Sequence, residues 1–121
     1  MVRRKLPHGE MEALVMDVLW DGAEPLTPAA VRDRLPPERP LAYTTVMTIL
    51  TRLWEKGLVE RDRMGRAFAY RPRQSREERA AERMGELLAA TGDRSVALSQ
   101  FVASLPDDQV AELRRLLEEE R

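Results

Sequence analysis

Leu41-Ala-Tyr-Thr-Thr-Val-Met-Thr-Ile-Leu-Thr-Arg-Leu-Trp-Glu-Lys-Gly57 reads as one helix with a different task on each face. At about 100° per residue, Val46, Ile49, Leu50 and Leu53 fall on one narrow apolar stripe, the i, i+3, i+4, i+7 spacing of a core-facing helix. Thr44, Thr48 and Thr51 point the other way, with Thr45 and Arg52 on the flank of that outer surface. An ordinary solvated face would carry Glu and Lys. Threonine is a mediocre helix former, stiff at χ1, so four of them on an outer face lower helix propensity with no packing gain. Short hydroxyls, methyl groups able to meet the thymine methyl, and an Arg near the C-terminal end suit a surface that lies in a DNA major groove. No acidic residue occurs between Arg39 and Trp54.

The flanks support this reading. Gly57 after Lys56 has the form of a left-handed C′ glycine with a cation in the last turn. Leu58-Val59-Glu60-Arg61-Asp62-Arg63 and Arg66-Ala67-Phe68-Ala69-Tyr70-Arg71 are strand-like runs expected to turn around Met64-Gly65. A Thr-faced helix followed at once by a basic hairpin has the layout of a winged helix.

Upstream, a first helix is expected from Gly9 to Trp20, with Met11, Leu14, Val15, Val18 and Leu19 on its apolar face, Glu10, Glu12 and Asp17 opposite, and Gly22 as its stop. The single histidine, His8, just precedes it, without the clustered ligands a metal site needs. Thr27-Pro28 starts a short second helix: Thr27 as N-cap, Pro28 at N1, and Leu26 placed to staple against Val31. Pro36-Pro37 stops it after about Leu35. Downstream, Ser75 and Glu78 form a capping box that opens a new segment, which puts a domain boundary near residue 74. Three amphipathic helical patterns follow, broken at Thr91-Gly92-Asp93 and Leu105-Pro106-Asp107. The expected fold is mainly α with a small β-hairpin: an N-terminal winged helix-turn-helix DNA-binding domain over 1–74 and a C-terminal helical dimerisation domain over 75–121.

Charge divides the same way. Although the 121 residues sum to a net −1, residues 1–74 carry 13 Lys and Arg against 10 Asp and Glu, and residues 75–121 carry 7 against 11. Residues 52–73 hold 7 basic and 3 acidic side chains, so the basic patch is the end of the Thr-faced helix plus the hairpin. Opposite signs on two halves are expected when only one meets phosphate. The acidic C-terminal segment is too short to bury its own apolar stripes, and a second copy of the chain is the natural cover. No run approaches the roughly 20 apolar residues of a membrane span. The basic stretch over 1–5 leads into a helix rather than a signal-peptide core. The chain is therefore expected in the cytoplasm, with no direct membrane binding. Without Cys there are no disulfides, thiolate metal sites or cysteine nucleophiles, and no cofactor or metal is expected. An enzyme is disfavoured by the absence of a Gly-rich phosphate loop and of a second His. Two alternatives stay open: a winged-helix module that binds protein through the Thr-rich helix, and a ligand-sensing winged-helix regulator with a pocket among the C-terminal helices.

The chain resembles the penicillinase-repressor family of winged-helix regulators. The resemblance is carried by Glu12-Ala-Leu-Val-Met-Asp-Val-Leu-Trp20, by Tyr43-Thr-Thr-Val-Met-Thr-Ile-Leu-Thr-Arg-Leu53 with Glu55-Lys-Gly57, by Gly65-Arg-Ala-Phe-Ala-Tyr70, and by Val96-Ala-Leu-Ser-Gln-Phe-Val102 and Glu112-Leu-Arg-Arg-Leu-Leu117. It implies a homodimeric repressor on a dyad-symmetric double-stranded DNA operator, with β-lactam-responsive genes as targets. By that resemblance DNA contacts would come from Tyr43, Thr44, Thr45, Thr48 and Arg52 in the helix and from Arg63 and Arg66 in the wing, and Thr51 joins them by its outward facing on the helix. Dimerisation would fall to Leu87, Leu88, Phe101, Val102, Val110, Leu113 and Leu117. The family's copper-responsive branch uses Cys ligands, which this chain lacks. In the antibiotic-resistance branch a sensor-linked protease pathway cuts the repressor between Asn and Phe; the matching bond here is Gln100-Phe101. Phe101 shares a stripe with Ala97 and Leu98, so that bond is expected to be poorly accessible in an intact helix, and cleavage to require local opening.

Overall fold

The computed structural model describes residues 8–120. The element order is α1 (His8–Asp21), α2 (Pro28–Arg34), α3 (Tyr43–Glu55), β1 (Val59–Met64), β2 (Ala67–Pro72), α4 (Arg76–Ala89), α5 (Arg94–Ser104) and α6 (Asp107–Glu119). This is the mainly helical fold with one hairpin that the sequence calls for. The basic stretch over 1–5 lies outside the described residues. Among those residues no helix is long and apolar enough to cross a membrane. The chain divides after Arg79 into two compact units.

In the first unit the core is made by α1, α2, α3 and one face of the hairpin. Val15, Val18, Leu19, Val31, Val46, Ile49, Leu50, Leu53, Val59 and Tyr70 are all buried together. Met16 joins them, so the buried arc of α1 is wider than its expected stripe. That helix also runs one residue further at each end, taking in His8 and Asp21. Glu12 is not a freely solvated residue of the outer face: both its carboxylate oxygens accept from Lys56 Nζ, at 2.8 and 2.9 Å, tying α1 to the end of α3. Thr27 caps α2 by accepting from the Ala30 amide at 3.3 Å. Leu35 follows with ψ 148°, the extended backbone required before Pro36. Leu26 exchanges both backbone hydrogen bonds with Tyr70, at 2.9 and 2.8 Å, which lays the α1–α2 connection alongside β2.

Gly57 adopts φ +77°, and the Leu58 amide bonds back to the Leu53 carbonyl while the Gly57 amide bonds to Trp54. These two bonds close α3 as a Schellman motif and aim the chain into β1. The hairpin turns at Gly65-Arg66, one residue later than expected, with Met64 paired to Ala67. Gly65 has φ +63°, and a two-residue turn with only its first residue at positive φ wants Gly there. The expected turn would also have set Arg63 opposite Arg66, a like-charge pair; here Arg63 opposes Phe68.

At the start of α4, the Ser75 hydroxyl accepts from the Glu78 amide at 3.0 Å and the Ser75 amide donates back to the Glu78 carboxylate at 3.2 Å, the reciprocal capping box. Trp20 Nε1 donates to the Gln74 carbonyl at 2.9 Å, and Arg76 reaches Asp17 and Asp21 while covering the Trp20 ring. The first turn of α4 thus belongs to the N-terminal unit.

The second unit is helical throughout, with Asp93 capping α5 through the Val96 amide at 3.2 Å. No described residue from 80 on is buried. Met84, Leu87, Phe101, Val102, Leu116 and Leu117 are all exposed, whereas Leu88, Val110 and Leu113 are half-buried. Phe101 is 47% exposed, so its side chain is not buried within one chain. With Ala97 and Leu98 it lines an open groove shared with Met84, Leu87 and Leu88 of α4. The bond nevertheless lies inside the continuous helix α5.

Candidate nucleic-acid interface

The apolar stripe of α3 fixes one side of the helix to the core and leaves the opposite side bare. Thr44, Thr48, Tyr43 and Met47 are exposed on it, Thr51 is half-buried on the same side, and Thr45 and Arg52 are half-buried along one flank. Met47 was absent from the sequence-derived set. It stands between Tyr43 and Thr51 on the same surface, a position the wheel already contained. The Thr48 hydroxyl donates to the Thr44 carbonyl and the Thr51 hydroxyl to the Met47 carbonyl, both at 2.9 Å. Their hydrogens are thereby spent inside the helix. What each presents outward is a methyl group and oxygen lone pairs, suited to a thymine methyl or to the exocyclic amino group of adenine or cytosine. Met11, Thr44, Thr45, Thr48, Ile49 and Arg52 line a concavity of about 200 Å³ where α1 meets this surface. Ala42, at the N-cap position of the helix, offers no side-chain cap, so the first amide groups remain available to an anion.

The hairpin has two chemically distinct faces. On one, Arg71 is held by Glu60 and Asp62, each at 2.9 Å. The Glu60 hydrogen bond and charge, reinforced by Asp62, raise the Arg71 guanidinium above its ordinary value, so it stays charged and engaged. On the other face lie Val59, Arg61, Arg63, Phe68 and Tyr70, paired Arg61 to Tyr70 and Arg63 to Phe68. Arg61 packs over both Trp54 and Phe68, and Arg63 lies 5.5 Å from the Phe68 centroid. Phe68 and Tyr70 meet edge to face at 6.5 Å. Arg66 is exposed in the turn.

The sequence-level patch over 52–73 is therefore smaller than its count of cations. Lys56 and Arg71 are neutralised by Glu12, Glu60 and Asp62. Arg73 donates to the Gly57 carbonyl at 3.3 Å. Among the described residues no side-chain hydrogen bond or ion pair engages Arg61, Arg63 or Arg66, and all three sit on the inner face or tip of the hairpin. Arg61 was missed in the sequence reading. Strand alternation from the buried Val59 through Arg61 to Arg63 was the signal that could have found it.

Residues 8–119 match the family described as penicillinase repressor. The chain belongs to the penicillinase-repressor family. Like other members it is a DNA-binding transcriptional repressor, and it is not an enzyme. The transcriptional regulator BlaI of Mycobacterium tuberculosis, in each of two strains, is 44% identical to it over 114 residues, covering 92% of this chain and 83% of the relative. Among solved structures, the complex of hsRosR-S4 aligns with a TM-score of 0.52 at 22% identity over 91% of this chain and 94% of that one. The complex of hsRosR-S1 gives 0.51 at 21% over 85% and 92%. These likenesses concern the fold alone. Membership of the penicillinase-repressor family sets aside a ligand-sensing regulator of another family, and it gives the Thr-faced α3 its context.

Proposed function

We propose that this repressor acts in the cytoplasm as a homodimer on a dyad-symmetric operator, with one α3 in the major groove of each half-site and each hairpin along the neighbouring backbone. Residues 1–74 supply the DNA contacts and residues 75–121 join the copies. The observation that carries this reading is the outer face of α3, exposed, free of acid and rich in Thr beside the unpaired arginines of the hairpin. Tyr43, Thr44, Thr45, Thr48 and Thr51 then meet base edges and nearby phosphates, while Arg52, Arg63 and Arg66 meet the backbone. Pairing through the second unit is supported by its uncovered Leu87, Phe101, Val102 and Leu117, and by an apolar groove of about 380 Å³ along α4 and α5. Leu88, Val110 and Leu113, already half-buried, complete the proposed interface from beneath.

Readout tests the groove assignment. With an operator selected from a random library, Thr48→Ala is expected to lower the ratio of operator to random-DNA affinity by about 1–3 kcal/mol per half-site, the usual cost of one misread base pair. Arg52→Ala should weaken both DNAs together. An unchanged ratio for the Thr48 variant across several salt concentrations would remove the base contact.

Release is proposed to follow cleavage at Gln100–Phe101 by a sensor-linked protease, with β-lactam-responsive genes as the regulated set. A cut there detaches α6 from the DNA-binding unit, and because the bond lies within α5 the helix must open locally first. In β-lactam-treated cells, mass spectrometry should find a fragment ending at Gln100. Derepression accompanied only by the intact 121-residue chain would count against it.

A further inference from the structure

Arg61 is placed unlike any other cation of the hairpin. Its guanidinium carbon lies 3.6 Å from the centroid of Trp54, in the last turn of α3, and 4.1 Å from that of Phe68, on β2. One side chain therefore touches the groove-facing helix and both strands of the wing. A planar cation packed against two ring faces is fixed in orientation, and its N–H groups, which lie in its own plane, are directed away from the rings. Among the described residues no carboxylate or carbonyl receives them. Arg71, on the opposite face, has Glu60 and Asp62 on its guanidinium.

We propose that Arg61 is a positioning residue of the DNA interface, which locks the wing to the end of α3 and presents the unpaired edge of its guanidinium to a backbone phosphate. The inference rests on the reading that α3 and the hairpin meet DNA together. A bland role also exists, in which Arg61 only covers the apolar surface of Trp54 and Phe68. The two roles differ in what they do to salt dependence. A side chain that merely fills space changes affinity and leaves the counterion term alone, whereas each phosphate neutralised adds about 0.9 to the slope of log K against log salt.

The experiment uses the full chain and a fluorescent B-DNA duplex of random sequence, titrated over a range of salt concentrations. Arg61→Met keeps an apolar stem against the rings and removes the charge; its slope is expected to fall by about 0.9 for each wing on the DNA, about 1.8 for a dimer that engages both. Arg61→Lys keeps the charge without the planar stack, and Trp54→Leu keeps Arg61 without one of its rings. Both are expected to retain the parental slope with affinity about fivefold lower, the worth of about one cation–π contact. A parental slope in Arg61→Met overturns the proposal, whatever its affinity. If that variant melts below the assay temperature, the other two decide, because parental affinity in both would show that the stack positions nothing. A parent chain with no salt dependence at all would instead remove the DNA reading beneath the proposal.

Discussion

Ending the chain at Arg79 is expected to lower operator affinity by about 10²-fold or more while leaving a folded, monomeric winged helix. The endpoint follows from the structure. Ser75, Glu78 and Arg76 belong to the N-terminal unit through the capping box and the contacts to Asp17, Asp21 and Trp20, so stopping at residue 74 would strip α1 of partners as well as removing the second unit. Two half-site contacts held on one dimer bind as a tethered pair, the second at high effective concentration, and that advantage vanishes when the copies separate. Random-sequence DNA should show a smaller loss and a shallower salt slope, since fewer phosphates are neutralised per particle. Leu117→Asp in the full chain is expected to reproduce the effect. Leu117 is 62% exposed, so the charge costs little in the single chain and is felt when a second copy covers it. Leu113 is half-buried in its own unit and would confound folding with assembly. Sedimentation of the full chain as a monomer at micromolar concentration would sink the dimer reading.

What was legible in the sequence was local. The α3 stripe, the Thr27–Pro28 start and the Ser75–Glu78 box each reside in a few neighbouring residues, and each appears where those residues put it. The contacts that narrow the basic patch join distant positions. Glu12 and Lys56 are 44 residues apart, and a charge count cannot see that they neutralise each other. The Arg71 pairing depends on hairpin register, which turned on whether Gly65 takes the first or the second turn position. Stripes in α4 to α6 show which faces are apolar and not what covers them, so the exposure of Phe101 could not be read in advance. Arg61 was hidden for a different reason. An Arg in a strand-like run of alternating charge looks like a solvated residue until the strand's inner face brings Trp54 and Phe68 to it.

Leu53→Ala is expected to destabilise the N-terminal unit by about 2–5 kcal/mol, and Thr48→Ala, less than two turns away on the same helix, by no more than about 0.5 kcal/mol. Leu53 is fully buried in the cluster that holds Val15, Leu19, Val31, Val59 and Tyr70, elements drawn from α1, α2 and both strands. Truncating it removes apolar contact and leaves a cavity that those separate elements cannot collapse around together. The unit is small, and small domains hold little stability in reserve. At about 4–8 °C per kcal/mol for a domain of this size, the melting temperature should drop by about 10–40 °C, and DNA binding should fail through unfolding at temperatures where the parent is intact. Circular dichroism melts of both variants separate the two faces of α3. Equal melting temperatures for Leu53→Ala and the parent would mean that this stripe does not anchor the helix, and the Thr face opposite would then have no fixed direction in which to point.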